Sequence, residues 1–380
     1  MKYYDSDVVV VGAGIMGAFT ALRLAQRKRT VFLLDKGDIG RESTGRCGGG
    51  VRQQYRDPAE LPLAMKAIDI WAGLAEEFGE PLEYRRHGSL KLLHNDAELE
   101  EAQARVARER ESALDVDLLT PAEVVDFAPA IGSDTDLTGG TLCMTDGTAN
   151  PLLLARALGP ALDRTGVHVN THEPVRRFIE ADGRVVSAIT DQAEYRAETF
   201  VNAAGSWAAG LCRSLGLDLP CSARKSQLLI TEPLSPIIRG FISFGNGYIR
   251  QALDGNLHLG VRGLPIDVLE KSLTYSALID AGRFFPKIFP FIRNINIIRG
   301  FTGFTTWSPD GRPIIDKAAG LDGFYLATGF CGHGFCLGPM VGQLLAEWIC
   351  DGSSTLDLSQ FSWTRFNQIK SNAKSQPRED

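Results

Sequence analysis

The sequence predicts an α/β protein in which a Rossmann-like doubly wound domain is interleaved with an α+β domain built on a mostly antiparallel sheet. Three observations carry this expectation. Residues 7–35 read strand, glycine turn, helix, strand. Glycine-rich segments that end apolar runs recur in the middle (FVNAAGSWA, 200–208) and near the C-terminus (GFCGHGF, 329–335). Residues 221–300 are richer in short strand-like runs bounded by turn residues.

Taken in order, DVVVVG (7–12) is a continuous apolar run, as expected of a strand buried on both faces. GAGIMG (12–17) follows, and AFTALRLAQR (18–27) with TVFLLD (30–35) completes a βαβ unit. DIGRESTGRCGGGVRQQ (38–54) reads as a loop, PAELPLAMKAIDIWAGLAEEFG (58–79) as a helix, and HGSLKLL (87–93) as a strand. The charged DAELEEAQARVARERESA (96–113) predicts a solvated helix without chemistry. In LTPAEVVDFAP, Thr120 is the N-cap, Pro121 opens the helix and Glu123 closes a capping box. NPLLLARALGPALDRTG is helical and VHVNT a strand, followed by hairpin strands turning at ADGR (181–184) and DQAE (191–194).

A helix over LEKSLTYSALIDAGRFF (269–285) interrupts the later strands. RGFTGFTTWSPDGRPIID then leads to strand FYLATG (324–329), a glycine turn and helix PMVGQLLAEWIC (339–350). The tail NAKSQPRED is expected to be disordered. The expected domains are 1–84, 145–220 and 300–365 for the nucleotide-type fold, 85–144 and 221–299 for the second domain, and 366–380 for the tail.

Composition narrows the function. The 380 residues are 44% hydrophobic and 23% charged, which suits a globular core, and a net charge of −6 invites neither nucleic acid nor an anionic surface. Residues 324–346 carry no formal charge, and a membrane span needs about 20 apolar residues. Five glycines, Pro339 and His333 break this run, so strand, turn and helix account for it better. The seven cysteines are scattered without CxxC spacing and the six histidines do not cluster, so no metal site and no disulfide frame is expected.

Gly12, Gly14 and Gly17 form GxGxxG between a strand and a helix. The first glycine permits the tight turn, the second lets backbone approach a pyrophosphate, and the third allows close helix–strand packing. The helix N-terminus adds partial positive charge. Asp35 ends the second strand, where a carboxylate binds ribose hydroxyls and repels a 2′-phosphate. An NAD site is usually completed within one contiguous domain. This chain returns twice more to glycine-rich strand ends, as a long cofactor with a tricyclic ring requires, and that favours FAD.

GAGIMG with LLDK, STGRCGGGVRQ, VNAAGSWA, SPDGRPIID and GFCGHGF together resemble the D-amino-acid oxidase / glycine–sarcosine oxidase family of FAD-dependent oxidoreductases, over roughly residues 5–365. Within it, the chain is most similar to the flavin-bearing beta subunits of heteromeric, dye-linked dehydrogenases of hydroxyproline, proline, opines or sarcosine. The resemblance implies roles. Gly12, Gly14, Ile15, Met16 and Gly17 would hold the pyrophosphate, and Asp35 and Lys36 the adenosine side. Ser43, Thr44, Arg46, Cys47, Gly48 and Gly49 would follow the ribityl chain toward the ring. Val175 would pair its backbone with adenine; Ala203, Ala204, Gly205 and Trp207 would close over the ribose–phosphate. Gly329, Gly332, His333, Gly334 and Phe335 would lie near the pyrimidine side, where negative charge collects on reduction.

The resemblance also implies oxidation of a C–N bond by hydride transfer to flavin N5, giving an imine that hydrolyses. An amino-acid carboxylate needs a cation, best a bidentate arginine. Arg52, Arg250 and Arg262 are the candidates, with Tyr248 on the same strand face as Arg250 and His333 placed to polarise flavin or substrate. Thr305 stands where glycine-oxidase-like chains carry an arginine, and Cys336 where sarcosine-oxidase-like chains carry a lysine. The cysteine that links flavin in that branch has no counterpart in TGFTTWSPD, so FAD is expected to be non-covalent. Cys331 and Cys336 read as small apolar filler.

No lysine occurs in GYIRQALDGNLHLGVRG, which favours a dehydrogenase over an oxygen-using enzyme. The subgroup implies a hetero-oligomer, an electron acceptor or redox partner subunit, and a second flavin or other cofactor shared with that partner. The expected location is the cytoplasm or the periphery of the inner membrane. The alternatives are a hydrogen-peroxide-producing D-amino-acid or glycine oxidase, and an NAD-dependent dehydrogenase sharing only the first βαβ unit.

Overall fold

The computed structural model describes residues 2–245, 247–261 and 263–366. Arg262 and the tail therefore lie outside the described residues. The chain forms two compact units: Met1–Thr44 with Ala155–Ala223 and Thr305–Asp380, and Gly45–Leu154 with Arg224–Phe304. The chain alternates between the two units, and residues 45–84 and 145–154 lie in the second. The reason is local pairing. Gly50 and Val51 form a ladder with Thr148 and Gly147, and Leu61 packs with Val106, Leu114, Val116 and Cys143.

The first unit is built on an eight-stranded sheet. Strand Lys2–Val11 lies parallel between Val31–Leu34 and Ala193–Asn202, and Val31–Leu34 pairs with His168–Asn170. Phe324–Thr328 adds parallel to Ala193–Asn202, joining the end of the chain to its middle. Val8 to Val11 are buried without alternation, as a strand covered on both faces requires. Asp182 and Gly183 both take positive φ in the ADGR turn, so the following strands form the expected hairpin.

Helix Ile15–Gln26 packs on helix Gly334–Asp351. The latter starts five residues before the expected boundary at Pro339 and runs through that proline. Pro339 forgoes one backbone bond; close packing on the first helix compensates. A Cβ on Gly338 would fall 2.6 Å from Ile15 Cγ1, and one on Gly342 2.5 Å from Phe19 Cβ and 2.7 Å from the Thr20 nitrogen. Gly342→Val is therefore expected to cost about 3 kcal/mol of stability, read as a lower urea midpoint with unchanged m-value. No helix among the described residues is long and apolar enough to cross a membrane.

The second unit carries a nine-stranded, mostly antiparallel sheet. One face is apolar: Leu90, Leu92, Leu229, Ile242, Phe244, Ile249, Leu257 and Leu259 bury against Ala281, Phe285 and Ile288 of helix Tyr275–Ile288. That helix begins later than expected because Thr274 caps it, its hydroxyl accepting from the Ala277 amide. The capping box at Thr120 forms as expected. Helix Asp96–Glu111 departs from the solvated expectation at Glu109, which is buried and accepts from the Tyr55 amide at 2.7 Å.

Period two puts the intervening residues on the opposite face of the sheet. Phe241, Tyr248 and Arg250 fall there, and register adds His258 and Gly260, directly opposite Arg250 and Tyr248 on the neighbouring strand.

Candidate functional site

Within the first unit, the three glycine-rich segments converge. Gly12 has φ +106°, and a Cβ there would overlap the Ala203 carbonyl oxygen. A Cβ on Gly17 would overlap the Gly12 carbonyl and reach 3.1 Å from Val10 Cγ1. These two glycines are demanded by the packing of the chain itself. Gly14 is different: among protein atoms a Cβ there would meet only Thr44 Oγ1, at 3.4 Å. The bare backbone at Gly14 is what a closely approaching pyrophosphate needs. The first helix has no side-chain cap from Gly14, and the Ile15 amide donates to Thr44 Oγ1 at 2.9 Å.

Asp35 ties the second strand to this turn. Its Oδ2 accepts from the Ala13 amide at 2.6 Å and its Oδ1 from the Gly37 amide at 2.8 Å, while burial raises its pKa. Lys36 Nζ sits 3.6 Å from the centroid of the Trp207 ring and 2.9 Å from Glu42 Oε1. The turn after the middle strand is thereby joined to the end of the second. Gly205 is held by the Thr328 hydroxyl, which donates to its carbonyl at 3.1 Å. Val175 is half-buried in the same core, and Glu173, two residues earlier, donates its amide to the Asp35 carbonyl at 2.8 Å.

The C-terminal glycine segment abuts the first helix. A Cβ on Gly334 would lie 3.2 Å from Met16 Cε and 3.2 Å from Phe330 Cβ. His333 holds the N-cap position, its amide donating to the Phe330 carbonyl at 2.7 Å. Phe335, Cys331 and Cys336 are buried. Thr305 accepts from Trp307 Nε1 at 3.0 Å. Ser43 is exposed while Thr44 is buried.

In the second unit, Gly48, Arg52, Phe241, Tyr248 and Arg250 form linked contacts. The Tyr248 ring lies against Gly48 and Gly260; a Cβ on either glycine would enter the ring. Phe241 stacks on Tyr248 with centroids 4.9 Å apart, and the Arg52 guanidinium lies 4.8 Å from the Phe241 centroid. Arg250 Nε donates to the Gly48 carbonyl, Arg46 Nη1 to the Thr302 carbonyl at 3.0 Å, and Gly49 accepts from the Ala149 amide at 2.9 Å. Cys47 lies in the same loop, beside the Gly48 held by Arg250. Arg250 is 3% exposed, and no carboxylate among the described residues pairs with it.

A family model described as "FAD dependent oxidoreductase" (DAO) matches residues 7–348. The chain belongs to this family. It is an FAD-dependent oxidoreductase, and the match far beyond the first βαβ unit sets the NAD alternative aside. The chain is 28% identical over 372 residues to sarcosine oxidase subunit beta of Rhizobium meliloti, covering 95% of this chain and 88% of that one. It is 27% identical over 366 residues to glycine oxidase of Pseudomonas putida, covering 94% and 98%. The crystal structure of L-proline dehydrogenase from P. horikoshii superposes with a TM-score of 0.91 at 28% identity, covering 96% of this chain and 99% of that one.

The sequence reading of this DAO-family chain missed three residues. Phe241 and His258 share the sheet face with Arg250, but only the strand register reveals it. Glu173 is buried, its Oε1 accepting from Thr190 and Tyr195 hydroxyls at 2.8 and 2.9 Å. It braces the segment that carries Val175, and no local motif marks it.

Two histidines near Arg250 make stability pH-dependent. Burial and then Arg250 hold His258 down to about 3; burial, then Arg85, Arg250 and Arg239, hold His87 down to about 4. Both ordinarily titrate at 6.5, so below that pH the unfolded chain binds more protons and stability falls as pH falls. At pH 5 each is expected to cost about 2 kcal/mol relative to neutral pH. Urea titrations at neutral pH and at pH 5 check this, with replacement of either histidine removing its share of the loss.

Proposed function

We propose that this DAO-family enzyme oxidises the C–N bond of an amino acid or secondary amine bearing a carboxylate, of the hydroxyproline, proline, opine or sarcosine class, as the catalytic subunit of a heteromeric dehydrogenase. The observation that carries the substrate side is Arg250. A buried guanidinium without a carboxylate partner is costly unless a ligand supplies the missing anion. One nitrogen is committed to Gly48, which leaves its terminal nitrogens for a carboxylate. Tyr248 and Phe241 form an apolar wall beside it, suited to an alkyl or ring substituent.

FAD supplies a two-electron hydride acceptor. On this chain's side, Gly12, Gly14 and Gly17 would admit the pyrophosphate, Asp35 and Lys36 the adenosine portion, and Gly332, His333 and Gly334 the pyrimidine edge. FAD would be held without a covalent bond. The likeness to a sarcosine oxidase subunit beta supports the heteromeric reading, and the likeness to an L-proline dehydrogenase supports the secondary-amine class. The likeness to glycine oxidase supports the second reading, a peroxide-producing oxidase.

The test is anaerobic bleaching of the flavin-loaded protein across a panel of amines and amino acids. The expected result is reduction by a carboxylate-bearing secondary amine and slow reoxidation by oxygen. Fast reoxidation with peroxide would select the oxidase. Failure of every amine, with and without added dye, would overturn both readings.

A further inference from the structure

The face of the second-unit sheet that carries Arg250 holds a further polar side chain with no assigned partner. His258 stands directly opposite Arg250 on the adjacent antiparallel strand, so the two side chains leave the same face. Directly opposed residues have Cβ atoms about 5 Å apart. Ile230 is the neighbour of His258 on the other side, and Gly260, two residues along, lies under the Tyr248 ring. The imidazole is half-buried, and its Nδ1 is buried without a hydrogen-bond partner among the described residues. An unpaired buried ring nitrogen is unfavourable. Beside it is a buried guanidinium whose Nε is already used by Gly48. Among the described residues, then, one face of the sheet holds a cation without a carboxylate partner beside a neutral ring whose Nδ1 has no hydrogen-bond partner.

We propose that His258 is a second substrate-binding residue, donating a ring N–H to one oxygen of the substrate carboxylate while Arg250 holds the other. This rests on the carboxylate reading of Arg250 and deepens it. The pair sets specificity by charge and shape together. A planar carboxylate satisfies both groups. A carboxamide presents one oxygen and an NH2 that cannot accept from either. The low affinity of the ring for a proton, which burial and Arg250 impose, keeps a single positive charge facing a single negative one. Replacement of the ring by glutamine preserves a donor at similar reach, and leucine removes it while keeping the bulk.

The experiment uses the flavin-loaded full chain and two probes, propionate and propionamide, followed by the perturbation of the bound-flavin visible spectrum. Separately, the His258 ring nitrogens are followed by 15N NMR in protein labelled at histidine. Propionate is expected to bind and propionamide not. His258→Leu should weaken propionate about 10-fold or more, and His258→Gln should recover most of it. FAD content should stay the same in both. In the unaltered protein, propionate should shift the His258 ring signals, a readout that holds even if the leucine variant does not fold. If Arg250→Met abolishes propionate binding while His258→Leu leaves it unchanged and the ring signals do not move, the role of His258 is overturned and the Arg250 reading stands. If propionate and propionamide bind alike and Arg250→Met changes neither, both fall together.

Discussion

Arg250→Met is expected to raise the substrate KM about 30- to 3,000-fold, the equivalent of removing one partner of a buried, hydrogen-bonded charge pair. FAD content is expected to remain that of the unaltered protein. The size of the effect follows from burial. Arg250 is 3% exposed and faces no carboxylate among the described residues, so in the loaded enzyme the substrate anion would be its counter-charge. Methionine fills the stem's volume but leaves that anion desolvated and alone. Lysine is expected to rescue only part of the loss, because it cannot both donate to the Gly48 carbonyl and present a fork. Steady-state kinetics with the substrate found by anaerobic reduction, alongside the ratio of flavin to protein absorbance, checks both halves. An unchanged KM would remove Arg250 from the site.

The second large effect separates two glycines of one motif. Gly14→Val is expected to yield folded protein that has lost FAD affinity roughly 100-fold or more, because the added methyl groups occupy the space where backbone would meet the pyrophosphate. Within the protein, a Cβ at this position approaches only Thr44 Oγ1, at 3.4 Å. Gly17→Val is expected to fail earlier, without stable protein, since its Cβ would overlap the Gly12 carbonyl that shapes the turn. Circular dichroism and FAD titration of the two variants tell the outcomes apart. If Gly14→Val bound FAD as well as the unaltered protein, the pyrophosphate would have to lie elsewhere.

The first βαβ unit was legible because its signals are local: a fully apolar strand, glycines at fixed offsets and an acid at the second strand's end. Tyr248 and Arg250 were legible together because period two within one strand is also local. His258 was not, since nothing in LHL states which residue of the neighbouring strand it opposes; register is set by the apolar face formed with Ile249, Leu257 and Leu259. The start of the last helix was misread because Pro339 is a strong local breaker, while the contacts that override it, Gly338 on Ile15 and Gly342 on Phe19, come from the other end of the chain. Residues 45–84 show the same dependence on distant pairing. A glycine-rich loop after a nucleotide motif reads as part of that fold, yet its ladder partner is Thr148.

The docking of the last helix on the first has a consequence for biogenesis. Arg27 near the end of the first helix pairs with Asp351 at the end of the last, a separation of 324 residues. During synthesis the glycine turn emerges early, but the surface that covers its helix is made only when residues 334–351 follow. Closing so long a loop is entropically costly and favours slow, late assembly. A nascent chain stalled before Gly334 should therefore expose the greasy flank of the first helix to chaperones, and flavin supplied during translation should be captured only once residues 334–351 have emerged.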